Sequence, residues 1–283
     1  GPYEHRTALD EVVQMMGGLA YMTGPPGQPL RAGSSVNDIM GGMFGALGAL
    51  AALAERARTG RGRLVQSGLF ENGVLLMAQH MMQLAVTGEP ASPMPARISA
   101  WAVYDVFTVR DGQQVFLAVV SNTQWALMCE EFGFADLRDD PRLTTNADRV
   151  RAREWMMPLL RERFASLGAD ELAARFERRG LPYAPITRPQ DLFDDPHLAA
   201  TGGLAPLHVP ADASSAGRAL DTRAPLLPLA FDGRRPPLRA GAPALGAHSR
   251  EVLHELGYDE AQVERLLADG VVVAAGAAED PAG

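Results

Sequence analysis

Apolar residues recur along this chain with two different periods. Leu9, Val12, Val13 and Met16 fall at i, i+3, i+4 and i+7, which is the spacing of one helix face over residues 7–19. A turn-rich run, Thr23-Gly24-Pro25-Pro26-Gly27, interrupts the pattern. Ser34 and Ser35 then lead into a long helix that ends near Arg58, stopped by Thr59-Gly60-Arg61-Gly62. A short strand is expected over 64–67, and a second long helix, rich in Met and Leu, over 68–86. Past the Pro-rich stretch 88–95 the period changes. Residues 101–109 and 114–120 read as strands joined by a turn at Asp111-Gly112. Helices are expected over 123–132, 146–167 and 169–179, a strand at 183–186 and a helical turn at 188–193. Residues 201–247 are rich in Pro, Gly and Ala with scattered β signals, 248–267 is a final amphipathic helix, and the tail from Ala274 reads as disordered. These shifts divide the chain into 1–95, a small α+β block at 96–200, and a segment at 201–283 that returns to the first part.

Composition narrows the function classes. The 283 residues are 47% hydrophobic and 21% charged, enough to bury a core. A net charge of -8 argues against a nucleic-acid surface but leaves room for an anionic ligand at a local arginine cluster. All 26 basic residues are arginine, so Schiff-base chemistry on lysine is ruled out. The single cysteine, Cys129, excludes an intramolecular disulfide framework and a multi-thiolate zinc site. The histidines have no partners at metal spacing. The longest apolar run, 39–54, is shorter than the roughly 20 residues of a membrane span, and no signal peptide opens the chain, so a cytoplasmic protein is expected.

The acid of most interest is Asp38. A carboxylate in the first turn of a helix faces unpaired N–H groups and the positive end of the helix dipole, which favour negative charge. Such a carboxylate can attack an activated acyl group; an ordinary capping aspartate would look the same. The helix it opens carries Gly41, Gly42, Gly45 and Gly48. Each glycine costs a helix about 1 kcal/mol relative to alanine, so the run marks a close backbone approach, either to another helix or to a ligand.

Gly33-Ser34-Ser35-Val36-Asn37-Asp38, followed by Gly41-Gly42-Met43 and Gly45-Ala46-Leu47-Gly48, resembles the nucleophile segment of the family III CoA-transferases, the CaiB/BaiF group. Arg58-Thr59-Gly60-Arg61-Gly62 is similar to a turn of the same family. So, in order, are Gly1-Pro2-Tyr3, Met16-Gly17-Gly18-Leu19, Asp140-Pro141-Arg142-Leu143, Thr145-Asn146-Ala147-Asp148-Arg149-Val150, Gly180-Leu181-Pro182, Asp195-Pro196-His197-Leu198, Leu245-Gly246-Ala247-His248-Ser249 and Leu256-Gly257-Tyr258. No one of these motifs is specific; their order over some 270 residues carries the resemblance.

The resemblance implies an α/β fold: a Rossmann-like large domain, here incomplete at its N-terminus, a small α+β domain, and two chains interlocked as linked rings. It implies an enzyme that moves coenzyme A between carboxylic acids, with Asp38 passing through an acyl anhydride and an aspartyl-CoA thioester. The CoA thioester is then a substrate, and no permanently bound metal or redox cofactor is required. The expected partners are an acyl-CoA donor, a small carboxylic acid acceptor, and a second copy or a chain supplying the N-terminal half. No nucleic acid or membrane is expected. Around Asp38, the amides of Ile39 and Met40 are candidate oxyanion donors, and Gly41 and Gly42 would let a ligand approach. Asp10 is a candidate assistant or a capping group. Where some family members have a run of glycines, this chain reads Ile98-Ser99-Ala100-Trp101-Ala102-Val103-Tyr104. That makes Arg97, Trp101 and Tyr104 candidates for shaping an acyl pocket, with Arg97 able to pair with a second substrate carboxylate. A short dicarboxylic acid with a succinyl-type donor is the expected substrate pair. The competing reading is an α-methylacyl-CoA racemase, which places a histidine directly before an aspartate in the preceding helix; here that pair reads Leu9-Asp10, and leucine cannot shuttle a proton. A catalytically silent subunit that binds CoA esters is the third.

Overall fold

A computed structural model describes residues 1–97 and 99–275. The backbone divides into two compact units, one made of Gly1–Arg110 with Leu117–Tyr183, the other of Asp111–Phe116 with Ala184–Gly283.

The first unit opens with four helices: α1 (Asp10–Met16), α2 (Leu19–Thr23), α3 (Val36–Thr59) and α4 (Leu69–Thr87). Helix α1 is shorter than its periodicity suggests, because Gly18 takes a φ of 84° and restarts the chain as α2. It also turns an unexpected face inward. Leu9, Val12 and Met16 are exposed, and the buried residues are Asp10, Val13 and Gln14. Helix α3 ends at Gly60, whose φ of 71° closes the last turn through its N–H to the carbonyl of Arg56. The strand expected at 64–67 forms no ladder: Leu64 is exposed, and this stretch has no neighbouring strand to pair with among the described residues. By length and apolar composition alone, α3 is the one helix among the described residues that could cross a membrane. It packs on α1 and α4 through its buried Asn37 and Gly41 and leaves Ile39, Met43, Leu47 and Leu50 exposed. An apolar surface of this extent is characteristic of a contact face.

Most of the buried apolar side chains lie in the α+β block between Ala102 and Leu181. Strands β1 (Val103–Thr108) and β2 (Gln114–Val119) flank the turn at Asp111, where Gly112 has a φ of 76°, and belong to a sheet ordered β1-β2-β3 with β3 at Tyr183–Pro185. Helices α5 (Asn122–Phe132), α6 (Ala135–Arg138), α7 (Asn146–Arg151), α8 (Arg153–Ala165) and α9 (Ala169–Arg178) surround it. Phe164, fully buried, meets Phe107 edge-on at 5.0 Å, Phe132 at 5.2 Å and Phe176 at 5.9 Å. The single helix expected over 146–167 breaks at Ala152. The break lets Arg149 turn inward and Arg153 reach the carbonyl of Ala102 and the carboxylate of Asp105 on β1. Arg149 is buried without a carboxylate, so its guanidinium is satisfied by the carbonyls of Leu143 (2.8 Å) and Thr144 (3.2 Å), by Asn122 Oδ1 (2.7 Å), and by the face of Trp125.

In the second unit, α10 (Pro196–Ala200) precedes an antiparallel pair, β4 (Leu204–Val209) with β5 (Leu220–Pro225), in which Leu204 faces Pro225 and Val209 faces Leu220. The final helix is split into α11 (Ser249–Glu255) and α12 (Glu260–Ala268). Gly257, with a φ of 89°, ends the first, and Asp259 and Gln262 form a reciprocal capping box that starts the second. Of the tail expected to be disordered, residues 276–283 lie outside the described residues; Ala275 donates to the carbonyl of Gly246 at 3.2 Å.

Candidate active site

The start of α3 is capped from another helix. Ser35 stands at the N-cap position, but its side chain makes no capping bond. The buried carboxylate of Asp10 on α1 does so instead: Oδ1 accepts from the backbone N–H of Asn37 at 2.8 Å and of Asp38 at 3.3 Å. Oδ2 accepts from Gln14 Nε2 at 2.6 Å. Gln14 is itself fully buried and fully used, because Nε2 also donates to the carbonyl of Ser34 (3.2 Å) and Oε1 accepts from the N–H of Ala32 (2.8 Å). One carboxylate and one amide on α1 thereby fix both the loop before α3 and its first turn. Of the two roles open to Asp10 in the sequence, capping is the one its contacts describe. The other two amides of that turn are also taken: Val36 donates to the carbonyl of Ser34 and Ile39 to that of Ser35.

Asp38 projects from this anchored turn and is exposed. Ile39 is exposed beside it, Met40 half-buried, Gly41 buried and Gly42 exposed. The two uses suggested for the glycines both occur. A Cβ on Gly41 would come within 3.3 Å of Leu69 Cδ1, and one on Gly48 within 2.6 Å of Val65 Cγ1, so these two serve packing inside the chain. Gly42 and Gly45, one and two turns from Asp38 on the same side, would place a Cβ in open space. Next to Asp38, the amide of Asn37 is fully buried against Gly73 of α4, and neither its Nδ2 nor its Oδ1 has a partner among the described residues.

Arg97 and Trp101 precede β1, and Tyr104 lies within it. The Trp101 and Tyr104 rings lie 5.3 Å apart, and Arg97 Nη1 donates to Met94 Sδ. The backbone around them is held by Asn146, which bonds the N–H of Ala102 and the carbonyl of Ala100. Ile98, in the same stretch, lies outside the described residues. A cleft of about 460 Å³ runs between the first eight residues, α1 and α4, lined by Tyr3, Val13, Met16 and Phe70, and does not include Asp38. Among the described residues no cluster of His, Cys, Asp and Glu could hold a metal ion.

Cys129 is no second nucleophile. Burial pushes its thiol up to about 12, against which the nearby Arg149 charge acts only in part. The folded chain is expected to resist an aromatic disulfide reagent at mildly alkaline pH and to react at once in denaturant; fast labelling of the native chain would contradict this burial.

Sequence reasoning missed Gln14 and Arg31. Asp10 and Gln14 are four residues apart, hence on one helix face, and that spacing was the available signal. Arg31 lies within charge-pairing distance of Asp10 (3.9 Å) and Glu11 (3.6 Å). Nothing in its Pro-rich surroundings marks it.

Comparison with known proteins places the chain in a family. The CoA-transferase family III profile matches residues 1–249. An acyl-CoA transferase of Fusarium pseudograminearum is 34% identical over 273 residues, covering 96% of this chain and 59% of that protein. The succinyl-CoA:glutarate CoA-transferase of Mus musculus is 29% identical over 274 residues, covering 96% of this chain and 61% of its own length. A crystal structure of a CaiB/BaiF family protein from Brucella suis superposes with a TM-score of 0.76 at 29% identity, over 90% of this chain and 65% of that one. The chain thus spans about 60% of the length of the curated relatives it matches.

Proposed function

Because the chain belongs to CoA-transferase family III, we propose that it moves coenzyme A from an acyl-CoA donor to a second carboxylic acid, with Asp38 as the carboxylate that is transiently acylated. An Asp38 oxygen attacks the thioester carbonyl, the C–S bond breaks, and an acyl-aspartyl anhydride and CoA thiolate form. The thiolate attacks the aspartyl carbonyl, releasing the donor acid and leaving an aspartyl-CoA thioester. The acceptor carboxylate attacks that thioester, expels the thiolate again, and becomes the acyl half of a second anhydride. The thiolate finally takes the acceptor's carbonyl and returns Asp38 as a carboxylate. Each step replaces one activated carbonyl with another and no net proton moves, so the cycle calls for no resident metal or redox group.

The observation that carries this reading is an exposed carboxylate on a helix turn whose backbone is fixed from outside by Asp10. Fixing the turn restricts where the nucleophile can point, which is how proximity lowers a barrier. The open sides of Gly42 and Gly45 leave room for a thioester to lie along α3. Leu9 before Asp10 speaks against α-proton exchange, since it has no group to carry a proton. The mouse relative's name pairs succinyl-CoA with glutarate, and short dicarboxylic acids are the acids we propose here. The exposed apolar side of α3 suits an assembly with a second copy, interlocked as in the family; the setting is the cytoplasm.

Incubation with succinyl-CoA and a panel of carboxylic acids in deuterated water tests the function. New acyl-CoA masses without deuterium at the α-carbon are expected. Deuterium uptake without transfer would replace the reading with an isomerase, and neither with a binding subunit.

A further inference from the structure

The loop that carries Arg31 is strapped down on both sides. Leu30 donates its N–H to the carbonyl of Ala20 at 3.0 Å, and Ala32 donates to Gln14 Oε1 at 2.8 Å. The side chain is therefore delivered to a set place, beside the same Asp10 carboxylate that holds the Asp38 turn. Its Nη2 stands 3.9 Å from Asp10 Oδ2 and its Nη1 3.6 Å from Glu11 Oε2. Both separations exceed an N–H···O hydrogen bond, so charge attracts these groups without bonding them. Only Nε donates, to the carbonyl of Ala32 at 3.2 Å. The two Nη atoms keep their N–H donors without an acceptor at bonding distance among the described residues.

Neither acid holds this arginine by a hydrogen bond. Asp10 accepts instead from two backbone amides and Gln14, and Glu11 is 57% exposed. Arg31 itself is 40% exposed, open to a ligand. A planar guanidinium with free paired donors is the group best matched to a carboxylate. Asp10 Oδ1 holds the Asp38 N–H and Asp10 Oδ2 faces Arg31 Nη2 at 3.9 Å, so the Asp38 turn and Arg31 are neighbours across one carboxylate.

We propose that Arg31 binds the distal carboxylate of the acyl group exchanged at Asp38, which makes short dicarboxylic acids the preferred substrates. The proposal rests on the reading of Asp38 as the acyl-accepting residue and adds the residue that selects the acid. Arg97, put forward for this pairing on sequence grounds, donates one bond among the described residues, from Nη1 to Met94 Sδ.

Calorimetric titration of the 283-residue chain with glutaryl-CoA and with valeryl-CoA, which carries a methyl group in place of the distal carboxylate, tests it. The chain is expected to bind glutaryl-CoA about tenfold or more tightly, the least a charge-assisted pair should contribute. Arg31→Gln should erase that preference, and Arg31→Lys, which keeps the charge and loses the fork, should retain part of it. A dichroism melt establishes that the Gln variant is folded; if it is not, the Lys variant carries the comparison. Equal affinities with Arg31 in place, equal weakening of both ligands by the substitution, or no binding of either would overturn the proposal. All these titrations are made on a background carrying Asp38→Asn, where the thioester cannot acylate the chain, so an absence of CoA transfer would sink only the reading of function.

Discussion

Asp38→Ala is expected to lower CoA transfer at least about a thousandfold while leaving the chain folded. The two halves of that expectation come from separate observations. The side chain is exposed, and the bonds that hold the turn are made by its backbone N–H and that of Asn37, which alanine keeps. Alanine is a better helix former than aspartate and forfeits only an exposed dipole contact, worth roughly 0.3–1 kcal/mol. The melting temperature should therefore move little. The chemistry loses its only acylated atom, and what survives is binding without reaction. Asp38→Asn should behave alike, since an amide nitrogen cannot form the anhydride. Steady-state rates beside a thermal melt check both halves; a mild kinetic loss, or a chain that no longer folds, would each count against the assignment.

Asp10 should give the opposite signature, with stability and rate falling together. Asp10→Ala leaves the N–H groups of Asn37 and Asp38 and one donor of Gln14 without their acceptor at a buried site. Losing a cap costs about 1 kcal/mol, and stranding a buried donor about 1–3 kcal/mol, so roughly 2–4 kcal/mol and a melting point lower by roughly 5–15 °C are expected. Asp10→Asn is more informative. Its oxygen can still accept from Asn37, but its NH₂ then faces Gln14 Nε2, donor against donor. Gln14 cannot relieve this by flipping, because its Oε1 is held by the N–H of Ala32. The Asn variant should consequently lose stability despite its matched shape, and its kcat should drop about 10- to 100-fold as the Asp38 turn loosens. Full activity in a destabilised Asp10→Asn chain would show that the anchor does not position the nucleophile.

Much of this fold was legible in the sequence. The apolar periodicity and the glycines at 60 and 88 bracket α3 and α4 to within a residue or two, and Asp111-Gly112 marks the turn between β1 and β2. The failures share a cause: the pattern does not say what an element packs against. Helix α1 offers Leu9, Val12, Val13 and Met16 as its apolar face, whereas its buried side carries Asp10 and Gln14 because their partners are backbone groups 18 to 28 residues away. Ser35, the natural local cap, was supplanted by a residue 25 positions earlier, which no local rule anticipates. The amides of Ile39 and Met40 were read as open donors; the bond from Ile39 to Ser35 belongs to the helix itself and could have been counted from its start. Gly257 was visible and overlooked, a stop inside what looked like one amphipathic helix. At the site, the proposal of Asp38 rests on the resemblance, while its anchor and the neighbouring Arg31 follow from geometry alone.

The central claim is that acyl groups pass through one carboxylate, and chemical trapping tests it most directly. The chain is mixed with succinyl-CoA, treated with hydroxylamine, digested and sequenced by mass spectrometry. The prediction is a hydroxamate on the peptide containing Asp38 and on no other, dependent on the thioester. A preparation that transfers CoA yet yields no hydroxamate there, or yields it on a different acid, would contradict the account.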